Sequence, residues 1–400
     1  MSYDVARVRS HFPALAEGAA HFDGPGGTQT PDLVADVVRS TLLSAVSNRG
    51  TVTAAERRAE QTVAAARAAM GELLGADPRG IVFGRSMTQL TFDIARAASK
   101  DWRPGDEVVV SRLDHDANVR PWTIAAAAAG ATIRWIDFDP DTTELTPADV
   151  LAQLSEHTRL VALTGASNLV GTRPDLATIG ELVHDAGALF YVDGVHLSAH
   201  ASIDVSSLGA DLFACSPYKF CGPHCGVLAG RVEVLDRLHP DKLLPSTDAV
   251  PERFELGTLP YELMAATTAA VDFLAGLALD AAGSRRERLI RSMALLALHE
   301  DRLRERIERG VEAIGKIEIR SRAAQRTPTL LLTFADRSAA AGYRFLADAG
   351  VNAPAGTFYA YETSRRLGLG AVGGLRVGVS PYNNDEDVDR LLKALAQFVT

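Results

Sequence analysis

Cysteine is scarce in this chain: three residues among 400, Cys215, Cys221 and Cys225. That is too few for a disulfide framework, so the fold must rest on its own core, and the cytoplasm is the expected compartment. Long apolar runs are missing as well. No uninterrupted apolar stretch reaches the roughly 18 residues that a spanning helix needs, so no membrane partner is expected. Met1-Ser2-Tyr3-Asp4 lacks the charged-then-apolar pattern of an export signal. An excess of positive charge is absent too. Forty-one Lys and Arg against 50 Asp and Glu give a formal net charge of −9, which argues against nucleic acid as a partner. The basic cluster Arg285-Arg286-Glu287-Arg288 has acidic neighbours, and both signs recur from Glu300 to Arg309, as on a solvated helix face.

What is present is material for a large core, with 47% hydrophobic and 23% charged residues. Four hundred residues suit one large domain with a smaller one attached. Seven short apolar runs punctuate the first part: Ile81–Phe83, Val108–Val110, Ile133–Ile136, Leu160–Leu163, Leu189–Val192, Leu212–Ala214 and Val227–Ala229. Gly, Pro, Asp or Ser bound each run, and helical spacing fills most gaps, for example Leu90–Ala98 and Leu176–Ala186. This alternation predicts an α/β fold with a mainly parallel seven-stranded sheet covered by helices. After about residue 265 the pattern changes to a charged helix near Arg285–Ile314, strands near 317–320, 329–333 and 375–379, and a final helix capped by Asn384. The expected division is an N-terminal segment, 1–20, packed on the small domain, a large domain, 21–275, and a smaller α+β domain, 276–400.

Two motifs are decoys. Gly368-Leu369-Gly370-Ala371-Val372-Gly373 fits GxGxxG but precedes a strand, whereas a dinucleotide site needs the pattern between a strand and the helix after it. Cys221, His224 and Cys225 lack a second cluster to complete a zinc site, so no metal is expected.

The chemistry gathers elsewhere. Asp193 ends the run Leu189–Val192, at the sheet edge where open parallel sheets bind ligands, although a helix cap would explain it equally well. Twenty-six residues on, Lys219 lies in the apolar, Pro- and Gly-bounded turn Cys215-Ser216-Pro217-Tyr218-Lys219-Phe220-Cys221-Gly222-Pro223. A desolvated lysine has a lowered pKa and can attack an aldehyde. A carboxylate for a pyridinium nitrogen and a lysine for an aldehyde are what pyridoxal 5'-phosphate (PLP) requires, and Ser216 offers a hydroxyl for its phosphate. Ser86-Met87-Thr88-Gln89 links a strand to a helix, where an anion would sit. His115, in Asp114-His115-Asp116-Ala117-Asn118, can stack on a flat ring or be an ordinary surface histidine.

With these segments in place, the chain resembles the class V aminotransferases of PLP fold type I, in their cysteine-desulfurase-like branch, from His21-Phe22-Asp23 to Tyr382-Asn383-Asn384. The resemblance implies Lys219 as the Schiff-base lysine, Asp193 on the pyridine nitrogen and His115 stacked on the ring. Ser167-Asn168-Leu169-Val170-Gly171-Thr172 implies Asn168 near the ring oxygen, and His196 stands where desulfurases carry a glutamine for that oxygen. Phe254-Glu255-Leu256-Gly257-Thr258 implies that Thr258 reaches the phosphate of a partner subunit, hence a homodimer with shared sites. Arg376 is implied as the grip on the substrate carboxylate, and its planar fork suits that task. Tyr359, Tyr361 and Arg365 are expected near the substrate.

The pattern also breaks. Desulfurases carry a nucleophilic cysteine on a loop before that arginine, and Asn352-Ala353-Pro354-Ala355-Gly356-Thr357-Phe358-Tyr359-Ala360 has none. Tyr218 replaces the usual phosphate-binding histidine, and Ser86-Met87-Thr88 replaces Gly-Thr-Thr. The expected activity is a lyase that eliminates a β-substituent, such as sulfur, from an α-amino acid. The alternative is an aminotransferase, which uses the same residues up to the carbanion. A non-catalytic regulator finds no DNA-binding helix pair or basic patch in its support.

Overall fold

The structure, a computed structural model, describes residues 3–279 and 282–400; Met1 and Ser2 of the expected N-terminal segment lie outside the described residues. A short strand, β1 (Ala20–His21), precedes β2 (Ile81–Gly84), β3 (Glu107–Ser111), β4 (Thr132–Ile136), β5 (Thr158–Thr164), β6 (Leu189–Asp193), β7 (Leu212–Cys215) and β8 (Gly226–Gly230). These last seven form one sheet in the order β2-β8-β7-β6-β5-β3-β4. The five strands from β7 to β4 run parallel, and β8 is antiparallel to both its neighbours. Each holds one of the seven apolar runs, so the α/β reading is correct.

Alternation along the strands explains why the runs are continuous. Val109, Val161, Leu163, Val192 and Phe213 enter one apolar cluster, while Val108, Val110, Leu160, Ala162 and Tyr191 enter another on the opposite face. Helices cover both faces, so both sets of side chains leave water. Each fully buried Val, Leu or Phe contributes about 1.5–3 kcal/mol relative to exposure.

The C-terminal part builds a second sheet from β9 (Ile317–Ile319), β10 (Thr329–Phe334), β12 (Ala355–Gly356) and β13 (Gly374–Gly378), antiparallel in the order β12-β13-β10-β9. The intervening β11 (Val351–Asn352) pairs with β1 instead. The 30-residue helix Arg285–Ile314 and the final helix Asp385–Val399 pack there through Leu303, Ile307, Val311, Leu391 and Leu395. Asn384 caps the final helix in a reciprocal box with Asp387. Arg285 and Arg286 are not simply solvated. Arg285 pairs with Asp272 at 2.8 Å in the helix Tyr261–Ala275, and Arg286 donates to the carbonyls of Glu72 and Leu73, tying the long helix also to the helix Ala54–Leu74. The N-terminal residues bridge both parts: Phe12 joins the larger core, while Arg9 meets Asp387 at 2.8 Å and the Tyr3 hydroxyl donates to the Pro381 carbonyl. Gly368, Gly370 and Gly373 all take positive φ in the loop before β13, which is no phosphate-binding turn.

Candidate active site

The parallel strands end on a cavity of about 740 Å³. Its lining includes Ser86, Met87, Thr88, His115, Asn168, Asp193, His196, Ser216, Tyr218, Lys219, Tyr359 and Arg376, so twelve residues scattered over the sequence meet in one place. Thr258 is exposed and does not line it, and neither Tyr361 nor Arg365 reaches it; the Arg365 guanidinium lies over the Tyr361 ring instead.

Asp193 closes β6, buried to 4% exposure, and the Val195 N–H donates to its Oδ1 at 2.9 Å. The corner is tight: a Cβ on Gly194 would lie 1.9 Å from Phe213 Cζ, so only glycine turns the chain here without moving the core. Burial raises the Asp193 carboxyl to about 6, against the opposing pull of the Val195 N–H and the Lys219 charge.

Lys219 follows β7 in a turn begun by Ser216, and its ammonium donates to the Pro25 carbonyl. Burial first, then the nearby Arg376 charge, lower its pKa from the ordinary lysine range to about 7, with Asp193 opposing. A neutral, nucleophilic amine is thus well populated at neutral pH. Both Lys219 and Asp193 reach their reactive form by losing a proton. Formation of the coloured adduct between apoprotein and PLP is therefore expected to accelerate as pH rises through about 6 and about 7, then level off. A stopped-flow pH series checks this; a rate flat or falling over that interval would contradict it.

His115 is positioned by its neighbours. Asp114, fully buried and raised to about 8 by burial, accepts from Asn118 Nδ2 at 2.7 Å, and Asn118 in turn receives the Trp122 indole N–H. The Ala117 N–H donates to His115 Nδ1 at 3.0 Å, so a neutral ring carries its proton on Nε2. Burial, then the charges of Lys219 and Arg376, lower His115 to about 4 and keep it neutral near pH 7. On His196, which lines the cavity, the hydroxyls of Thr327 and Thr329 converge on Nε2 at 2.9 and 3.0 Å.

Arg376 is buried and its guanidinium carbon stands 3.7 Å from the Phe358 ring centroid. Nη1 donates to the Asn168 carbonyl at 2.9 Å, while Nε is buried without a partner among the described residues. Desolvation lowers its pKa to about 9, so it remains charged at neutral pH. Asn168 differs from expectation in one respect. Its amide Nδ2 donates to the Phe358 carbonyl at 2.9 Å and its Oδ1 is left buried and unpaired, so its observed contact is with the loop.

The segment Ser86–Thr88 forms a helix start. Ser86 caps the helix Met87–Ala98, accepting from Gln89 N at 3.1 Å, and this helix start, Ser86 to Thr88, lines the cavity, where free first-turn N–H groups favour an anion. Gly226 of β8 makes this approach possible, because a Cβ there would sit 2.2 Å from Ser86 C and 2.4 Å from Met87 N. Gly226→Ala is expected to cost about 1–3 kcal/mol by overpacking and to weaken PLP binding, checked by thermal melting and cofactor titration; unchanged values would contradict the close-packed geometry.

Some lining residues carried no sequence signal. Pro25 and Gly26 enter from a turn rich in glycine, Asp23–Gly27, and that density of glycine is the one available hint. Phe358 and Tyr359 adopt φ of 53° and 59°, a left-handed region that non-glycine residues rarely occupy, so nothing in their identity announces the turn. The Asp116 N–H donates to the Tyr359 carbonyl at 2.7 Å and helps hold this strained pair. Tyr218 lies flat against His224, with ring centroids 4.7 Å apart. Among the described residues no group of three or more His, Cys, Asp or Glu is arranged for a metal ion.

The class V aminotransferase profile matches residues 20–391. The chain belongs to the class V aminotransferase family. An uncharacterized protein of Mycobacterium tuberculosis, MT3887, is 33% identical over 400 residues and is matched over 100% of both chains. Aminotransferase-like protein FGM3 of Gibberella zeae is 31% identical, covering 98% of each. Cysteine desulfurase CsdA of Escherichia coli is 30% identical over 409 residues, 98% of this chain and 97% of that one. Its crystal structure superposes with a TM-score of 0.86 over 99% of this chain and 98% of that one, at 26% identity.

As a class V member the chain is a PLP-dependent enzyme. The cavity of this class V enzyme fits that cofactor on its own chemistry. It offers a buried carboxylate without a fixed cation, an amine of lowered pKa, a neutral imidazole, a helix start open to an anion, and an arginine with an unpaired buried N–H.

Proposed function

We propose that this PLP enzyme is a lyase that eliminates a β-substituent from an α-amino acid, by C–S cleavage in the favoured case, without an enzyme persulfide. The absence of a cysteine from the loop Asn352–Ala360 carries the reading. The three cysteines of the chain support it: all are buried, none lines the cavity among the described residues, and burial pushes the Cys221 and Cys225 thiols up to about 12 and about 11. A thiol so far from its thiolate is a poor sulfur acceptor.

When bound, PLP supplies an electron-accepting ring that stabilises negative charge at the substrate α-carbon. Around it, Arg376 would hold the substrate carboxylate through its unpartnered N–H groups, and Lys219 is the residue that would hold the cofactor. Lys219 Nζ, whose pKa burial and the Arg376 charge bring down to about 7, would then take the α-proton. Asp193 would keep the ring nitrogen protonated, His115 would present its uncharged face to the ring, and the helix start at Ser86–Thr88 with Ser216 and Tyr218 would hold the phosphate. His196, with Nε2 held by Thr327 and Thr329, would serve the ring oxygen through Nδ1. Thr258, exposed and outside the lining of its own cavity, would serve the partner's site in a homodimer. The same reading divides the chain at 20/21 and 275/276 and places the protein in the cytoplasm; no described helix is long and apolar enough to cross a membrane.

One observation favours the aminotransferase alternative, the kinship with the aminotransferase-like protein of Gibberella zeae. Incubation with a panel of amino acids separates the two. Keto acid with ammonia and a released thiol or sulfide is the expected result. Conversion of the cofactor to its amine form, reversed by added keto acid, would overturn the lyase reading.

A further inference from the structure

We infer that Thr329 is a positioning residue of this site: its hydroxyl fixes the tautomer of His196, so that Nδ1 carries the ring proton and can donate toward the cofactor. The inference deepens the PLP reading above and rests on the place given there to His196, beside the ring oxygen.

His196 is buried and lines the cavity. Burial first, then the charges of His200, Lys219 and Arg376, holds it well below the ordinary histidine range, so the ring is neutral. A neutral imidazole has one N–H and one bare nitrogen, and only the N–H can donate. Which nitrogen is bare depends on the groups that meet it. Two hydroxyls converge on Nε2, that of Thr327 at 2.9 Å and that of Thr329 at 3.0 Å. The Thr327 hydroxyl has a second acceptor, the Gly171 carbonyl at 3.4 Å. The Thr329 hydroxyl has no other partner among the described residues, and Thr329 is fully buried. A proton on Nε2 would strand that hydroxyl hydrogen in the core as an unsatisfied donor. Thr329 therefore donates to Nε2, and the ring proton goes to Nδ1, which has no protein partner among the described residues.

The ring is held from a second side. His200 meets it at 71°, with centroids 4.8 Å apart, and His200 Nδ1 lies 2.8 Å from Glu300 Oε2. His196, His200, Glu300, Thr327 and Thr329 are all buried within the single chain. Thr329 opens β10 opposite Gly378 of β13, and Leu331 stands opposite Arg376. The C-terminal sheet thus brings both Arg376 and the hydroxyl that orients His196 to the cavity.

A donor beside the ring oxygen favours the form in which that oxygen is negatively charged, which absorbs in the visible. Without the donor, the form that keeps its proton there, absorbing in the near ultraviolet, gains. The test reads the ratio of the two bands in PLP-loaded enzyme at one pH. Thr329→Val removes the hydroxyl and is expected to lower the visible-to-ultraviolet ratio at least about threefold, within the scale of one neutral hydrogen bond. Thr329→Ser is expected to restore it. In a His196→Ala background Thr329→Val should add nothing. An equal drop in both backgrounds would make Thr329 a packing residue and overturn the inference. Imidazole nitrogen NMR of the wild-type holoenzyme gives an answer that needs no Thr329 variant. The His196 signals, assigned by their loss in His196→Ala, are expected to show a protonated Nδ1 and a bare Nε2; the reverse would overturn the inference. A ratio that responds to His196→Ala but not to Thr329→Val would overturn the inference alone. A ratio unmoved by His196→Ala would remove His196 from the ring oxygen, and the inference with it.

Discussion

Lys219→Ala is expected to abolish turnover and to leave a protein that loses its colour on dialysis. Two roles vanish together, the covalent hold on the cofactor and the base at the α-carbon, and loss of a positioned base alone costs about 10²–10⁴-fold. Lys219→Arg keeps charge but supplies no neutral amine, so it should not restore activity. The fold should survive, because the side chain's recorded hydrogen bond is to the Pro25 carbonyl in the cavity and its neighbours Phe220 and Cys221 are buried independently of it. Turnover within tenfold of wild type would contradict the assignment.

Asp193→Asn is the second large effect. The substitution preserves shape at the end of β6 and keeps an acceptor for the Val195 N–H, so cofactor loading should persist. What goes is the negative charge beside the ring nitrogen. The expected loss in kcat is about 10²-fold or more, the scale of removing one preorganised electrostatic contact from a buried site. Activity close to wild type would mean that Asp193 is a corner residue and no partner of the cofactor. Its raised pKa adds a directional check: as pH falls through about 6 the carboxylate is lost, so wild-type activity falls on the acid side while the Asn variant does not share that limb.

The sheet was legible because burial on both faces writes itself into composition. A strand such as Glu107–Ser111 sends Val109 to one apolar cluster and Val108 and Val110 to the other, leaving no polar alternation to confuse the reading. Strand ends were legible for the same reason, which is how Asp193 and Lys219 stood out. The loops were less so. Asn168 has the residue type for a cofactor contact, yet its Nδ2 is taken by the Phe358 carbonyl, a partner 190 residues away that only the fold supplies. Pro25 meets Lys219 through a backbone carbonyl, a contact that no side-chain pattern encodes. Phe358 and Tyr359 turn left-handed without glycine, held by tertiary hydrogen bonds instead of by their own preference. Tyr361 and Arg365, expected as loop residues near the substrate, stand instead on the helix Tyr361–Arg366, outside the cavity lining.

The chain holds five lysines, and four of them, Lys100, Lys242, Lys316 and Lys393, lie outside the cavity lining. Borohydride reduction of the purified, PLP-loaded enzyme followed by peptide mapping therefore offers a direct answer with internal controls. Stoichiometric label confined to the peptide containing Lys219 is the expected result. Label on another lysine, or none after incubation with excess PLP, would contradict the assignment of this cavity as the PLP site.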